Sequence, residues 1–147
     1  MRTMNEWMPL AQRIALSSDE PPERRALALR CAEEAARQAP GAHDFPLGLA
    51  LFRVGRLPEA IAALDRAESQ AGPSNLNAHA HAQRLYFLTL ATHRSGDLHR
   101  AQALRRRLET IRDDNVRKPL GRFVDELLRE VDGELGGAPS NVPPVGR

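Results

Sequence analysis

The stretch Leu47-Gly48-Leu49-Ala50-Leu51-Phe52-Arg53-Val54-Gly55-Arg56-Leu57-Pro58-Glu59-Ala60-Ile61-Ala62-Ala63-Leu64-Asp65-Arg66-Ala67 reads as a helix, a single-glycine stop and a second helix. Gly55 falls where a left-handed C-terminal cap is expected, a backbone state that costs other residues about 1–2 kcal/mol. Pro58 lies in the first turn of the helix that follows, where its missing N–H does no harm. Ala60 is expected where the two helices cross closely, at roughly 8–10 Å between axes, so that a larger side chain would force them apart.

The same arrangement recurs 41 residues later. Leu47, Gly48, Leu51, Gly55, Ala60, Leu64 and Ala67 become Leu88, Thr89, Thr92, Gly96, Ala101, Arg105 and Leu108. The glycine and the alanine five residues after it are retained. Thr89 stands where the first copy has a small glycine, and Arg105 stands where an apolar residue is expected. A third, degenerate copy precedes both, with Ala28, Ala32, Ala35 and Pro40 at second-helix spacing.

Working outward, punctuation predicts about seven helices. Trp7, Leu10, Ala11 and Ile14 can share one face of a first helix, which Pro9 starts or kinks. Asp19-Glu20-Pro21-Pro22-Glu23 opens the next, which Pro40-Gly41 ends. The next two helices run over about Asp44–Val54 and Pro58–Gln70, and Gly72-Pro73-Ser74-Asn75 closes that pair. A long helix from about Asn75 to Arg94 absorbs the surplus residues of the 41-residue spacing. After Gly96-Asp97, a helix carries Leu98, Ala101, Leu104, Leu108 and Ile111 on one face. Pro119 opens the last, with a stripe of Leu120, Phe123, Val124, Leu127, Leu128 and Val131. The expected organisation is one all-α domain over 1–135, a short α-solenoid of antiparallel helix–turn–helix units at about 8–40, 41–74 and 75–112. A capping helix covers about 119–133, and a disordered tail covers 136–147.

The unit from Gly41 to about Ser74 resembles the tetratricopeptide (TPR) repeat, a helix–turn–helix of about 34 residues with Leu-Gly, a later alanine and a closing proline. Leu47-Gly48, Gly55, Ala60 and Ala67 match; Leu51 replaces an aromatic, Leu64 replaces Phe, and Pro73 falls one place late. The order Asn-Glu-Trp, Pro-Pro-Glu-Arg-Arg-Ala-Leu, Gly-Leu-Ala-Leu-Phe-Arg-Val-Gly-Arg and Tyr-Phe-Leu-Thr-Leu-Ala-Thr-His-Arg-Ser-Gly further resembles TPR segments at the C-termini of large bacterial signalling proteins, including some Ser/Thr kinases and β-propeller proteins. Those segments are non-catalytic. The resemblance implies a protein-interaction module with no cofactor and no metal.

Composition agrees with helices: aromatics make up 4% of the chain, and alanine and leucine carry the apolar content. The net charge of +2 demands no polyanionic partner. Cys31, the single cysteine, excludes an intramolecular disulfide and suits a small buried hydrophobe. The charged N-terminus without a following apolar run predicts no signal peptide, and Phe45–Phe52 is far short of the ~20 residues of a membrane span. A cytoplasmic protein with no membrane partner is expected. The chain contains no phosphate loop, no Gly-x-Ser-x-Gly, no His-Glu-x-x-His and no kinase motif. His93, Asp97 and His99 straddle a turn, but no further residue completes a metal set, so they and His79 and His81 read as solvated histidines. Adjacent acids such as Glu33-Glu34 and Asp113-Asp114 read as solvated faces.

From His93 to Arg122 there are nine basic residues against four acids, a surplus of five positive charges. From Phe123 to Glu134 there are five acids against Arg129, a surplus of four negative charges. Neutralisation of the Arg-rich helix by the acidic one is favoured over a phosphate-binding patch built on Arg105, Arg106 and Arg107. Nucleic acid is therefore the weakest of the partners considered, and the basic stretch has no interleaved aromatics.

In TPR proteins the first helix of each pair lines a peptide groove. By that resemblance the groove residues are Ala42, Phe45, Leu49, Phe52 and Arg53 from one unit and Gln83, Tyr86, Phe87, Leu90, His93 and Arg94 from the next. The alternative for the same residues is packing against neighbouring helices. A protein or peptide partner is expected; the alternatives are self-association, or a regulatory segment of a larger signalling protein.

Overall fold

The computed structural model describes residues 13–14, 19–71 and 77–140, with side chains through Leu135. Every regular element among them is helical: α1 Pro22–Gln38, α2 Asp44–Arg53, α3 Leu57–Gln70, α4 Ala78–Ser95, α5 Leu98–Asp114 and α6 Pro119–Ser140. The count is six, not seven. The expected N-terminal helix lies outside the described residues, apart from Arg13 and Ile14, which are helical. A tail was expected from 136, but α6 runs on to Ser140. The packed stripe upstream carries the helix cooperatively into residues of poor propensity. Residues 141–147 lie outside the described range.

The chain divides into two compact units, Met1–Ala71 and Gly72–Arg147.

In the first unit α2 packs against both α1 and α3. Its core is Ala28, Leu29, Ala32 and Ala35 of α1, Leu49, Ala50, Leu51 and Phe52 of α2, and Ala60, Ala63 and Leu64 of α3. Cys31 packs against the buried Ile14 and Ala28. α2 comes close to α3 at Gly48. A Cβ there would stand 2.7 Å from Leu64 Cγ and 2.9 Å from Leu64 Cδ2, so the Leu-Gly pair is required by one leucine on the facing helix.

In the second unit α4, α5 and α6 pack pairwise into a three-helix group. The core combines Ala82, Leu85, Phe87, Leu88, Leu90 and Ala91 of α4 with Ala101, Leu104 and Leu108 of α5 and Val124, Leu127, Leu128 and Val131 of α6. Leu98, expected on the buried stripe of α5, is instead 54% exposed, because it is the first residue of the helix and lies ahead of the turn that meets α4. The long helix is confirmed: α4 has 18 residues where α2 has 10. Its N-cap is Asn77, whose side chain accepts from Ala80 N–H at 3.2 Å.

The internal repeat is visible in the backbone. Gly55 and Gly96 have φ of 86° and 96°. In the first turn Gly55 N–H bonds Phe52 C=O, Arg56 N–H bonds Leu51 C=O, and Ala60 N–H bonds Arg56 C=O. In the second, Gly96, Asp97 and Ala101 N–H bond the carbonyls of His93, Thr92 and Asp97. Each bond recurs 41 residues on. The residues after the glycines, Arg56 and Asp97, share φ −85° and ψ 73°. Only the second has a capping side chain, with Asp97 accepting from Arg100 N–H at 3.2 Å.

Candidate functional site

The groove residues suggested by the TPR resemblance separate into two groups. Leu49, Phe52, Phe87 and Leu90 are buried, each 5% exposed or less. They are core side chains: in units this short, the apolar face of the first helix is used in packing. Phe45, Arg53, Tyr86 and His93 are partly exposed and Arg94 is exposed. Of the repeat-defining residues, Gly48, Ala60, Leu64 and Ala101 are buried, Leu47 and Ala67 are half-buried, and Gly55 and Gly96 sit exposed in their turns.

The partly exposed residues of α4 face the acids of α6. Tyr86 Oη donates to Glu130 at 2.7 Å. Arg94 grips Glu134 bidentately, through Nε at 2.6 Å and Nη2 at 3.2 Å. This bond holds the Glu134 carboxyl below the usual carboxylate range, helped by the charges of Arg94 and His93 and opposed by partial burial. Ring contact between His79 and Phe123, with centroids 4.9 Å apart, joins the start of α4 to α6. His81 is buried, not solvated.

Other acids of α6, Asp132 and Asp125, pair with α5. Arg105 Nε and Nη2 reach Asp132 at 2.8 and 2.9 Å, and its Nη1 reaches Glu109 at 2.6 Å. These carboxylates raise the Arg105 pKa. Arg112 adds a longer pair to Asp125 at 3.9 Å. Of the three arginines suggested for phosphate binding, Arg105 is thus engaged by Asp132 of α6 and by Glu109 of its own helix.

The first unit has an open feature that sequence reasoning missed. A hollow of about 420 Å³ is lined by Glu33, Ala36 and Arg37 of α1, Leu47 and Leu51 of α2, and Glu59, Ala62 and Arg66 of α3. Two helical hairpins in succession run α1 and α3 in the same direction, with α2 beneath as a floor. Small side chains on both walls, Ala36 and Ala62, leave the space between them unfilled.

Its ends carry opposite charge. Arg56 joins Glu33 at 3.5 Å to Glu59, which it binds through Nε at 2.8 Å and also through Nη2. That bond lowers the Glu59 pKa and raises that of Arg56. One turn further along α1, Arg37 pairs through Nη2 with Glu34. Two turns along α3, Arg66 donates through Nε to Asp44 at 3.3 Å. Asp44 is 5% exposed, and its second oxygen has no partner among the described residues. It opens α2, where the helix dipole favours a carboxylate. The Ala-rich composition of α1 and α3 was the only trace of this hollow in the sequence.

Among the described residues no group of three or more His, Cys, Asp or Glu could hold a metal ion. No described helix is long and apolar enough to cross a membrane. No family profile, curated protein or solved structure matches the chain.

Proposed function

We propose that this protein is a non-catalytic, TPR-like helical-repeat module that binds a protein or peptide partner. The observation that carries the reading is the hollow between α1 and α3. Its volume lies in the range of about 300–1,000 Å³ typical of ligand sites. An apolar floor of Leu47 and Leu51, with a few charged groups at the rim, is the usual composition of a recognition site. The repeated turns at Gly55 and Gly96 support the repeat reading, because their hydrogen bonds coincide at the same 41-residue spacing as the sequence match.

The site moves, in this reading, from the first helices of each pair to the outer walls formed by α1 and α3. Affinity capture with the tagged chain, comparing wild type with Ala62→Trp, tests it. A filled hollow is expected to lose the partner while circular dichroism stays unchanged. A partner set untouched by Ala62→Trp and by Ala36→Trp on the opposite wall would reject the site.

A further inference from the structure

The hollow has a direction, and its direction specifies a ligand. We propose that it receives an amphipathic helical segment of a partner protein, lying parallel to α3, with an aliphatic anchor over Leu47 and Leu51. A basic side chain of that segment faces Glu33, and an acidic one faces Arg37 and Arg66. This deepens the interaction reading above and rests on it.

Hydrogen-bonding capacity at each end supports the assignment. Arg66 uses only Nε, on Asp44, and neither of its Nη groups has a partner among the described residues. Arg37 uses only Nη2, on Glu34, which leaves Nε and Nη1. Two guanidinium forks with unused donors form a seat for a carboxylate. Asp44 has the role of a positioning group: buried at the start of α2, it fixes the stem of Arg66 from behind. At the other end Glu59 is fully engaged by Arg56, but Glu33 is held only loosely, by one contact at 3.5 Å. Its second oxygen has no partner among the described residues, so it can accept from a cation.

Spacing converts this into a motif. Glu59 and Arg66 are seven residues apart on α3, about 10 Å along the axis. A ligand helix beside α3 with the same direction spans that distance with a basic residue at i and an acidic one at i+7. An apolar residue at i+3 falls on the same face between them. The parallel orientation also brings the positive N-terminal end of the ligand helix to Glu33 and Glu59, and its negative end to the arginines. An acidic ligand throughout would meet Glu33, and a basic one throughout would meet Arg37 and Arg66; only the dipolar segment matches both ends.

The test uses two blocked, fluorescein-labelled helical peptides and the full-length chain, read by fluorescence anisotropy. The first peptide carries Lys, Leu and Glu at i, i+3 and i+7; the second exchanges Lys and Glu. The first is expected to bind at least fivefold more tightly. The double variant Arg37→Glu, Arg66→Glu, which makes both ends acidic, is expected to remove the preference, and Ala62→Trp to abolish both. Equal binding of the two peptides, or binding that survives Ala62→Trp, overturns the proposal. So does failure of both peptides to bind. If that failure accompanies a captured partner still sensitive to Ala62→Trp, the ligand chemistry falls while the interaction reading stands.

Discussion

Replacing Gly48 by alanine tests whether the Leu-Gly pair is a packing requirement or a sequence habit. On helix propensity alone the change stabilises, since glycine in a helix interior costs about 0.5–1 kcal/mol relative to alanine. Packing opposes it. The new methyl would stand 2.7 Å from Leu64 Cγ, 2.9 Å from its Cδ2 and 3.3 Å from its backbone nitrogen. Leu64 is fully buried, so its branch point cannot swing clear, and separating α2 from α3 would open the contacts of Leu49, Leu51 and Ala60. Overpacking of this kind costs about 1–3 kcal/mol. The expected net loss is therefore about 1–2 kcal/mol. In a unit of this size each kcal/mol corresponds to a fall in Tm of about 4–8 °C. Leu64→Ala alone is expected to lose about 2–5 kcal/mol through its cavity. The double variant should lose less than the sum, because the alanine at 48 then enters the space that Leu64 left. Urea titrations followed at 222 nm give the cycle, and a coupling of about 1–2 kcal/mol is expected, above the ~0.3–0.5 kcal/mol seen for independent sites. A Gly48→Ala protein more stable than wild type, or a cycle that adds without coupling, would refute the reasoning.

Three further outcomes are expected. Gly121→Ala should be more damaging than Gly48→Ala, because its Cβ would lie 2.0 Å from the backbone oxygen of Asn115; a thermal melt within a degree of wild type would contradict the close approach of α6 to the end of α5. Glu134 has a depressed folded-state pKa, so its contribution is present above the ordinary carboxylate pKa and is lost as pH falls through the folded value. Glu134→Gln should accordingly lower Tm near pH 7, by an amount within the ~0–1 kcal/mol usual for exposed pairs, and the difference should vanish in acid; an offset constant down to the lowest pH would show that the ion pair is not its source. Thr89→Val should change stability by less than about 1.5 kcal/mol, since the lost hydroxyl bond to Leu85 C=O, at 2.6 Å, leaves a carbonyl already placed in a helix; a larger loss in chemical denaturation would mean that the hydroxyl holds more than its own turn.

What could be read from the amino-acid order was local. Gly55 and Gly96 announce their turns because a positive φ admits few other residues, and both turns stand where the 41-residue match placed them. The length of α4 followed from the same match, since surplus residues between two retained glycines must lie in the helix before the second. Tertiary consequences were harder to see. Leu49, Phe52, Phe87 and Leu90 were groove residues by the TPR resemblance, with packing against neighbouring helices as the alternative, and they are buried. Of the basic surplus in residues 93–122, Arg94, Arg105 and Arg112 meet acids of the helix that follows. The surplus did not reveal that Glu130 and Glu134 reach past α5 to Tyr86 and Arg94 of α4, because a charge count carries no helix face. Gly121 gave no signal, since its reason is the Asn115 carbonyl in the turn that precedes α6. The hollow was equally silent: two alanines, ordinary in any helix, become walls only when α1 and α3 stand side by side.

The two repeat copies differ together at two matched positions. In the first copy a glycine faces a leucine, Gly48 against Leu64. At the matching positions the second copy has Thr89 and Arg105, a larger residue facing one that no longer enters the core. Arg105 is drawn outward by Asp132 and Glu109. Thr89 then fits fully buried, with its hydroxyl satisfied on its own helix at Leu85 C=O. Leu104 and Leu108 remain buried on α5. The exchange gives α6 a cationic anchor at the cost of one core leucine, which is consistent only if holding α6 in place matters more in this unit than tight packing of its helix pair. Arg105→Leu would restore the first copy's pattern, and it is expected to destabilise even though it makes the core more apolar. The leucine would press on the Thr89 side chain, and Asp132 would lose its bidentate partner. If Arg105→Leu instead raised Tm, the outward pull of the arginine would not be what allows a threonine at position 89.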